Sequence, residues 1–220
     1  VRVAFSPELF TFLSDLAANN DRAWFTAHKA VYESRVKQDA FDFIAAIGPG
    51  MAAISPHVRC DERALFRIYR DTRFAKDKTP YKTHVGLHFR HEGAGDVHTP
   101  GFYLHLEPTG CWFGAGIWQP DPPTLTRLRQ RMLDDVAGWQ AVAGAVSGFS
   151  WETESLKRPP RGVAEDHPLV EALKRKSLVL TAPIPHEEVL SDDFDAGFLE
   201  RCRAAAPLMA DVCHTLQLAW

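Results

Sequence analysis

What most constrains the architecture of this 220-residue chain is a change in hydrophobic period. Up to about residue 50 the apolar residues recur at helical spacing. Leu9, Phe10, Leu13 and Leu16 follow Ser6-Pro7-Glu8, which reads as a capping serine, a proline at the first helical position and an acid in the first turn. Asn19-Asn20-Asp21 stops that helix and can cap a second one starting near Arg22. Val31, Tyr32, Val36, Phe41, Phe43, Ile44 and Ile47 continue the helical pattern, with a break expected near Asp39 and an end at Gly48-Pro49-Gly50. From about Arg63 the period becomes two. Leu65, Arg67 and Tyr69 alternate with Phe66 and Ile68, then Val85, Leu87 and Phe89 with His84, Gly86 and His88. Phe102, Leu104 and Leu106 form a third such run, and Cys111 to Trp118 return as its hairpin partner across Pro108-Thr109-Gly110.

Helical spacing resumes with Leu125, Leu128, Met132, Leu133 and Val136, whose outer face carries Arg127, Arg129 and Arg131. A short helix over residues 139–146, another from Asp166-His167-Pro168 to about Lys176, and a last one from about residues 192–195 complete the helices. A short strand over residues 177–181 is broken by Pro183 and Pro185. Segregated helices and antiparallel strands predict an α+β fold. The expected architecture is an antiparallel sheet of about four to six strands, flanked by N-terminal and C-terminal helices, in a single domain filling residues 1–220. Glu92-Gly93-Ala94-Gly95-Asp96 is expected to be a flexible connection.

Net charge is -3, which argues against nucleic-acid or anionic-membrane binding by the surface as a whole but leaves room for a local basic patch. No apolar run approaches the ~20 residues of a membrane helix, so no membrane partner is expected. The opening VRVAFSPELF lacks a signal-peptide pattern. Cys60, Cys111, Cys202 and Cys213 form no CxxC, and they read as reduced thiols in a cytoplasmic protein.

That local patch is RIYRDTRFAKDKTPYKTH, residues 67–84. Arg67, Arg70, Arg73, Lys76, Lys78 and Lys82 are opposed only by Asp71 and Asp77, and Tyr69, Phe74 and Tyr81 are threaded among them. Guanidinium forks and ammonium groups are what phosphate or carboxylate recognition requires. The expected ligand-binding residues are therefore Arg67, Tyr69, Arg70, Arg73, Lys76, Lys78, Lys82 and His88. If the alternation holds, Arg67 faces the same way as His88 and His105. Asp71, Asp77, Tyr81 and His105 are the candidates for proton transfer.

His84, His88, His105 and Glu107 should share the polar face of the sheet. His84 and His88 are four residues apart, which in a strand separates them by ~13 Å, too far to share a metal ion. The spacing therefore favours hydrogen-bonded histidines over metal ligands, and no metal site is assigned. Trp112, Gly114, Gly116 and Trp118 share one parity. A helix packed over the glycines is the commoner arrangement, and a ligand pocket walled by the tryptophans is the alternative. No dinucleotide fingerprint, P-loop, GxSxG or HExxH is present, and no cofactor is indicated.

The blocks RIYRDTRF and KDKTPYK, preceded by NNDRAWF and followed by FYLHLEPTGCWFGAGIW and LKRPPRGV…DHP, resemble domain-of-unknown-function family 2461, a group of conserved hypothetical proteins. The resemblance runs from about Phe5 to about Leu216. It implies one family domain and brings no catalytic residue with it. On the residues themselves, the first expectation is a site that binds or processes a small anionic, phosphorylated ligand at a basic cleft. One alternative is a nucleic-acid-binding module using the basic loop, Arg127, Arg129, Arg131 and the loop at 157–161. Another is an internal ion-pair block that positions strands, with function through protein partners.

Overall fold

A computed structural model describes residues 5–93 and 98–220. It shows an α+β fold built on a five-stranded antiparallel sheet of order β1-β2-β3-β5-β4. The strands are β1 (Val85–Arg90), β2 (Gly101–Leu106), β3 (Cys111–Ile117), β4 (Ser150–Trp151) and β5 (Leu178–Ile184). Helices α1 (Pro7–Ala18), α2 (Arg22–Val31) and α3 (Gln38–Ile54) precede the sheet, and α4 (Pro122–Asp134), α5 (Val136–Ala145) and α6 (Val170–Lys174) follow β3. The chain ends with α7 (His186–Val189) and the long α8 (Phe194–Thr215). The loop expected around residues 92–96 lies partly outside the described residues.

The period-two pattern sorts the two faces of the sheet. Leu87, Phe89, Phe102, Leu104, Phe113 and Leu180 are fully buried on one face. Phe198 of α8 meets Phe89 at 5.6 Å and Phe113 at 5.7 Å between ring centroids, and Phe43 of α3 at 5.4 Å. These rings join both helix sets to the sheet, with the area burial and edge contacts that make aromatic clusters dominate cores.

Several local expectations need correction. The Ser6 hydroxyl does not cap α1. It donates to Asp39 Oδ2 at 2.6 Å and so ties the chain start to α3. Asp21 does cap α2, accepting from the Trp24 amide at 2.9 Å. The break expected near Asp39 is instead a π-helical stretch at Tyr32–Lys37. Gly48-Pro49-Gly50 does not end α3, which runs on to Ile54. A Cβ on Gly50 would lie 2.4 Å from Leu199 Cδ1, so this glycine serves the close crossing of α3 and α8. The helix expected up to Lys176 is short, Val170–Lys174, and β5 continues through Pro183 to Ile184. Pro183 is tolerated because β4 reaches only Thr181 and Leu180, leaving Pro183 with a strand neighbour on one side.

The strand expected at 65–69 does not form either. Leu65 bridges to Leu87 and Tyr69 to Tyr81, each as an isolated pair. Leu65 and Ile68 both turn to the core, three residues apart, so the alternation slips between them. Consequently Phe66, not Arg67, faces His88 and Tyr103, with ring centroids 6.1 and 6.0 Å away. Arg67 is exposed.

Candidate functional site

The basic block is a hairpin-like excursion whose ends are paired. Arg70 N–H donates to Pro80 O at 2.9 Å and Lys82 N–H to Ile68 O at 2.8 Å. The excursion is clamped from the start of the chain. Asn20 Nδ2 donates to Tyr81 O and Asn20 Oδ1 accepts from Tyr81 N–H, both at 3.0 Å. Phe25 stacks on the Tyr81 ring at 4.2 Å. The NNDRAWF and TPYK blocks, 61 residues apart in sequence, therefore form one joint.

Most charges of the loop are spent within it. Arg73 holds Asp71 through Nε and Nη2, the latter at 2.7 Å. Arg70 Nη1 meets Asp77 Oδ2 at 2.5 Å and also donates to the Thr79 hydroxyl. Lys78 Nζ donates to Thr72 O at 2.8 Å. The Arg73 hydrogen bond lowers the Asp71 carboxyl to about 2. The Thr79 amide, then Arg70, lower Asp77 to about 2 as well. Both are ionised acceptors near neutrality, poorly suited to delivering a proton. Tyr81 is 5% exposed and packed behind Phe25. Tyr69 and Lys76 are exposed, and Phe74 at the loop tip is 95% exposed. The Arg73–Asp71 pair is exposed, and Arg70 in its pair with Asp77 is half-buried.

The sheet face opposite the helices carries a cavity of about 400 Å³. Among the described residues no helix residue lines it. Gly86, Gly101, Gly114 and Gly116 share this face, and the pairings Gly101↔Gly116 and Tyr103↔Gly114 place small residues across adjacent strands. A Cβ at Gly86 would meet the Tyr103 hydroxyl at 2.7 Å, and one at Gly101 would meet His88 Nε2 at 2.6 Å. Gly116 has φ +132° and would drive a Cβ to 1.9 Å from Leu178 O, so only glycine fits there. Around this floor stand Phe66, His88, Tyr103, His105, Trp112 and Trp118. The helix expected over the glycines is absent from the cavity lining, and the rings stand there instead.

At one end His105 is held between two rings, His84 at 4.5 Å and Trp112 at 5.2 Å. His105 Nε2 faces Glu107 Oε2 at 3.4 Å. With Nε2 protonated, Nδ1 accepts from the Tyr103 hydroxyl at 3.1 Å. Glu107 also accepts from the Thr83 hydroxyl at 3.3 Å. Burial lowers the His105 imidazole, opposed by Glu107. Burial, then the neighbouring His105, lowers His84 to about 4. Burial, then Arg90, lowers His88 to about 4. Burial pushes the Tyr103 phenol up. The site thus holds neutral rings and one carboxylate, Glu107, connected to the cavity through His105. Among the described residues no group of three or more His, Cys, Asp or Glu is placed to hold a metal ion.

Of the expected ligand-binding residues, only His88 and Lys82 stand at or beside this cavity. Lys82 Nζ lies 5.6 Å from the centroid of the Phe66 ring that forms one wall, and donates to Arg67 O at 2.6 Å. Burial, then Arg67, lowers the Lys82 ammonium. His105 alone of the proton-transfer candidates faces the cavity. Phe66 and Tyr103 were missed. The signal for Phe66 lay in the leucine and isoleucine three apart, Leu65 and Ile68, which break the strand alternation. Arg127, Arg129 and Arg131 turn back onto the fold: Arg127 onto Thr215 O, Arg129 onto Leu173 O and Arg175 O, and Arg131 onto Asp135 and Asp211.

The family model described as conserved hypothetical protein, DUF2461, matches residues 8–210. The chain belongs to this family. The match takes in the Asn20–Tyr81 joint and every strand of the sheet, so the cavity is built wholly from the family's domain. A comparison with curated proteins found no match. No helix among the described residues is long and apolar enough to cross a membrane.

Proposed function

We propose that the protein binds a small anionic molecule with a flat apolar body on the glycine-floored face of the sheet. The observation that carries this reading is the cavity floor at Gly101, Gly114 and Gly116, walled by aromatic rings. Apolar pockets with a few convergent polar groups are the usual form of small-molecule sites. The body lies against Phe66, Tyr103 and Trp112, and its charged group, a phosphate or a carboxylate, meets Lys82 at the Phe66 wall. His105 exchanges a proton with the ligand in any processing step, with Glu107 behind it. The four cysteines, all free thiols, support action in the cytoplasm. The nucleic-acid alternative has less behind it, because Arg127, Arg129 and Arg131 are committed to backbone carbonyls and acids of the fold.

The test uses 2-naphthoate as a flat anionic probe and 2-naphthylmethanol as its neutral counterpart, by thermal shift and calorimetry. The anion is expected to bind more tightly, Lys82→Ala to remove that preference, and Gly114→Val to block both. A Cβ at Gly114 meets Trp112 Cζ3 at 3.1 Å and Tyr103 Cβ at 3.5 Å, so a side chain there enters the cavity against these rings. Equal binding by Gly114→Val, or no binding of either probe to the unaltered protein, would sink the reading.

A further inference from the structure

A second cavity, of about 200 Å³, opens on the other side of His88. Three arginines from separate segments converge on it. Arg59 is fixed by its amide donating to Arg90 O at 2.8 Å. Arg63 sits in a 3-10 turn capped by Asp61 Oδ1, which accepts from its amide at 2.9 Å. Arg90, the last residue of β1, reaches back to Arg63 O at 3.4 Å. Among the described residues no carboxylate forms an ion pair with any of the three guanidinium groups. Asp61 is the one acid in the lining, and Glu92 nearby is bound to His57 at 2.6 Å. Glu92 also lies within electrostatic reach of Arg59, and the arginines still outnumber the acids around the recess, three to two.

His88 adds an independent observation. Its side chain is 9% exposed, and its ring makes no hydrogen bond to any described residue. Its ring nitrogens are not sealed off, and the ring borders the cavities on either side. His91, also in the lining, is different: its Nε2 is within 2.7 Å of Ala219 O and its Nδ1 accepts from the Gly93 amide at 3.0 Å.

We propose that the recess between Arg59, Arg63 and Arg90 is an oxyanion site for a phosphate group, with His88 as a further polar contact. A tetrahedral anion complements the excess of positive charge and offers oxygens to three forks. At ~30 Å³ per water, the recess has room for phosphate and a few waters. This site stands independently of the apolar cavity, since none of its arginines lines that cavity. The phosphate is either a free inorganic ion or the head of a phosphate monoester.

Calorimetric titration at low ionic strength with inorganic phosphate and with phenyl phosphate tests this. Both are expected to bind, more weakly at high salt, with Arg63→Gln and Arg90→Gln each weakening binding about tenfold, as the loss of a charge-assisted contact requires. Arg63 is exposed, so its variant is expected to melt like the unaltered protein in the absence of phosphate. Phenyl phosphate binding at least ~10-fold tighter would identify an ester head as the occupant, and equal affinities a free ion; either supports the site. No binding of either compound, or binding unchanged in both variants, would overturn it.

Discussion

His88 offers a quantitative test of how the sheet face is built. It is buried between two cavities, and its imidazole is held neutral, with its pKa lowered to about 4. Because the folded value is below the ordinary one, the unfolded chain binds more protons through the window between them. Stability is then fully present above about 6.5, falls with pH through the window, and stops falling below about 4. For these two values, linkage gives a loss of roughly 2 kcal/mol between pH 7 and pH 5 from this one group. With a urea dependence of ~2–3 kcal/mol/M for a small protein, that is a midpoint shift approaching ~1 M. His84 and His105 shift in the same direction and add to the total, so the readout is a difference between proteins. His88→Gln keeps a polar side chain and removes the titration. Urea midpoints at pH 7 and pH 5 should therefore draw together in the variant by about that amount. Identical pH dependence in both proteins would refute the claim that the fold holds His88 neutral.

Other outcomes follow from the same geometry. Asn20→Ala leaves the Tyr81 N–H and C=O without partners and should cost about 2 kcal/mol in chemical denaturation, more than an ordinary surface change. Phe198→Ala removes the ring shared by Phe43, Phe89 and Phe113 and should cost ~3–5 kcal/mol, measured the same way. The Asp77 carboxyl lies below its ordinary range, so the order of its loop should survive at pH 4 and be lost as pH falls through about 2, followed by the Thr79 amide resonance. Arg73→Ala, in an exposed pair, should leave the melting temperature unchanged.

The chain revealed its sheet because one face carries large apolar side chains and the other carries glycines and polar rings. Leu87, Phe89, Phe102 and Leu104 alternate with Gly86, His88, Gly101 and Tyr103, and a period of two has few other readings. It was less informative wherever a residue serves a distant partner. Ser6 looks like a cap, but Asp39 takes its hydroxyl. Gly50 looks like a stop, but Leu199 needs its space. The basic block drew attention through charge, yet local aspartates neutralise much of it, and charge density alone does not show pairing. Its main contribution to the cavity is the apolar Phe66, whose direction depends on a slip in alternation that becomes legible only against Leu87 and Gly86. The glycines and tryptophans of β3 were visible from parity. Whether a helix or open space lay above them depended on where α3 and α8 pack, which parity does not determine. The three arginines of the second recess are scattered over 32 positions and converge only through the Arg59–Arg90 backbone pairing.

The central claim is that the glycine floor binds a ligand, and the indole N–H resonances of Trp112 and Trp118 read it most directly. On adding 2-naphthoate, both are expected to shift in the unaltered protein and to stay in place in Gly114→Val. Shifts that persist in Gly114→Val, or indoles that never move while the probe binds elsewhere, would contradict the account.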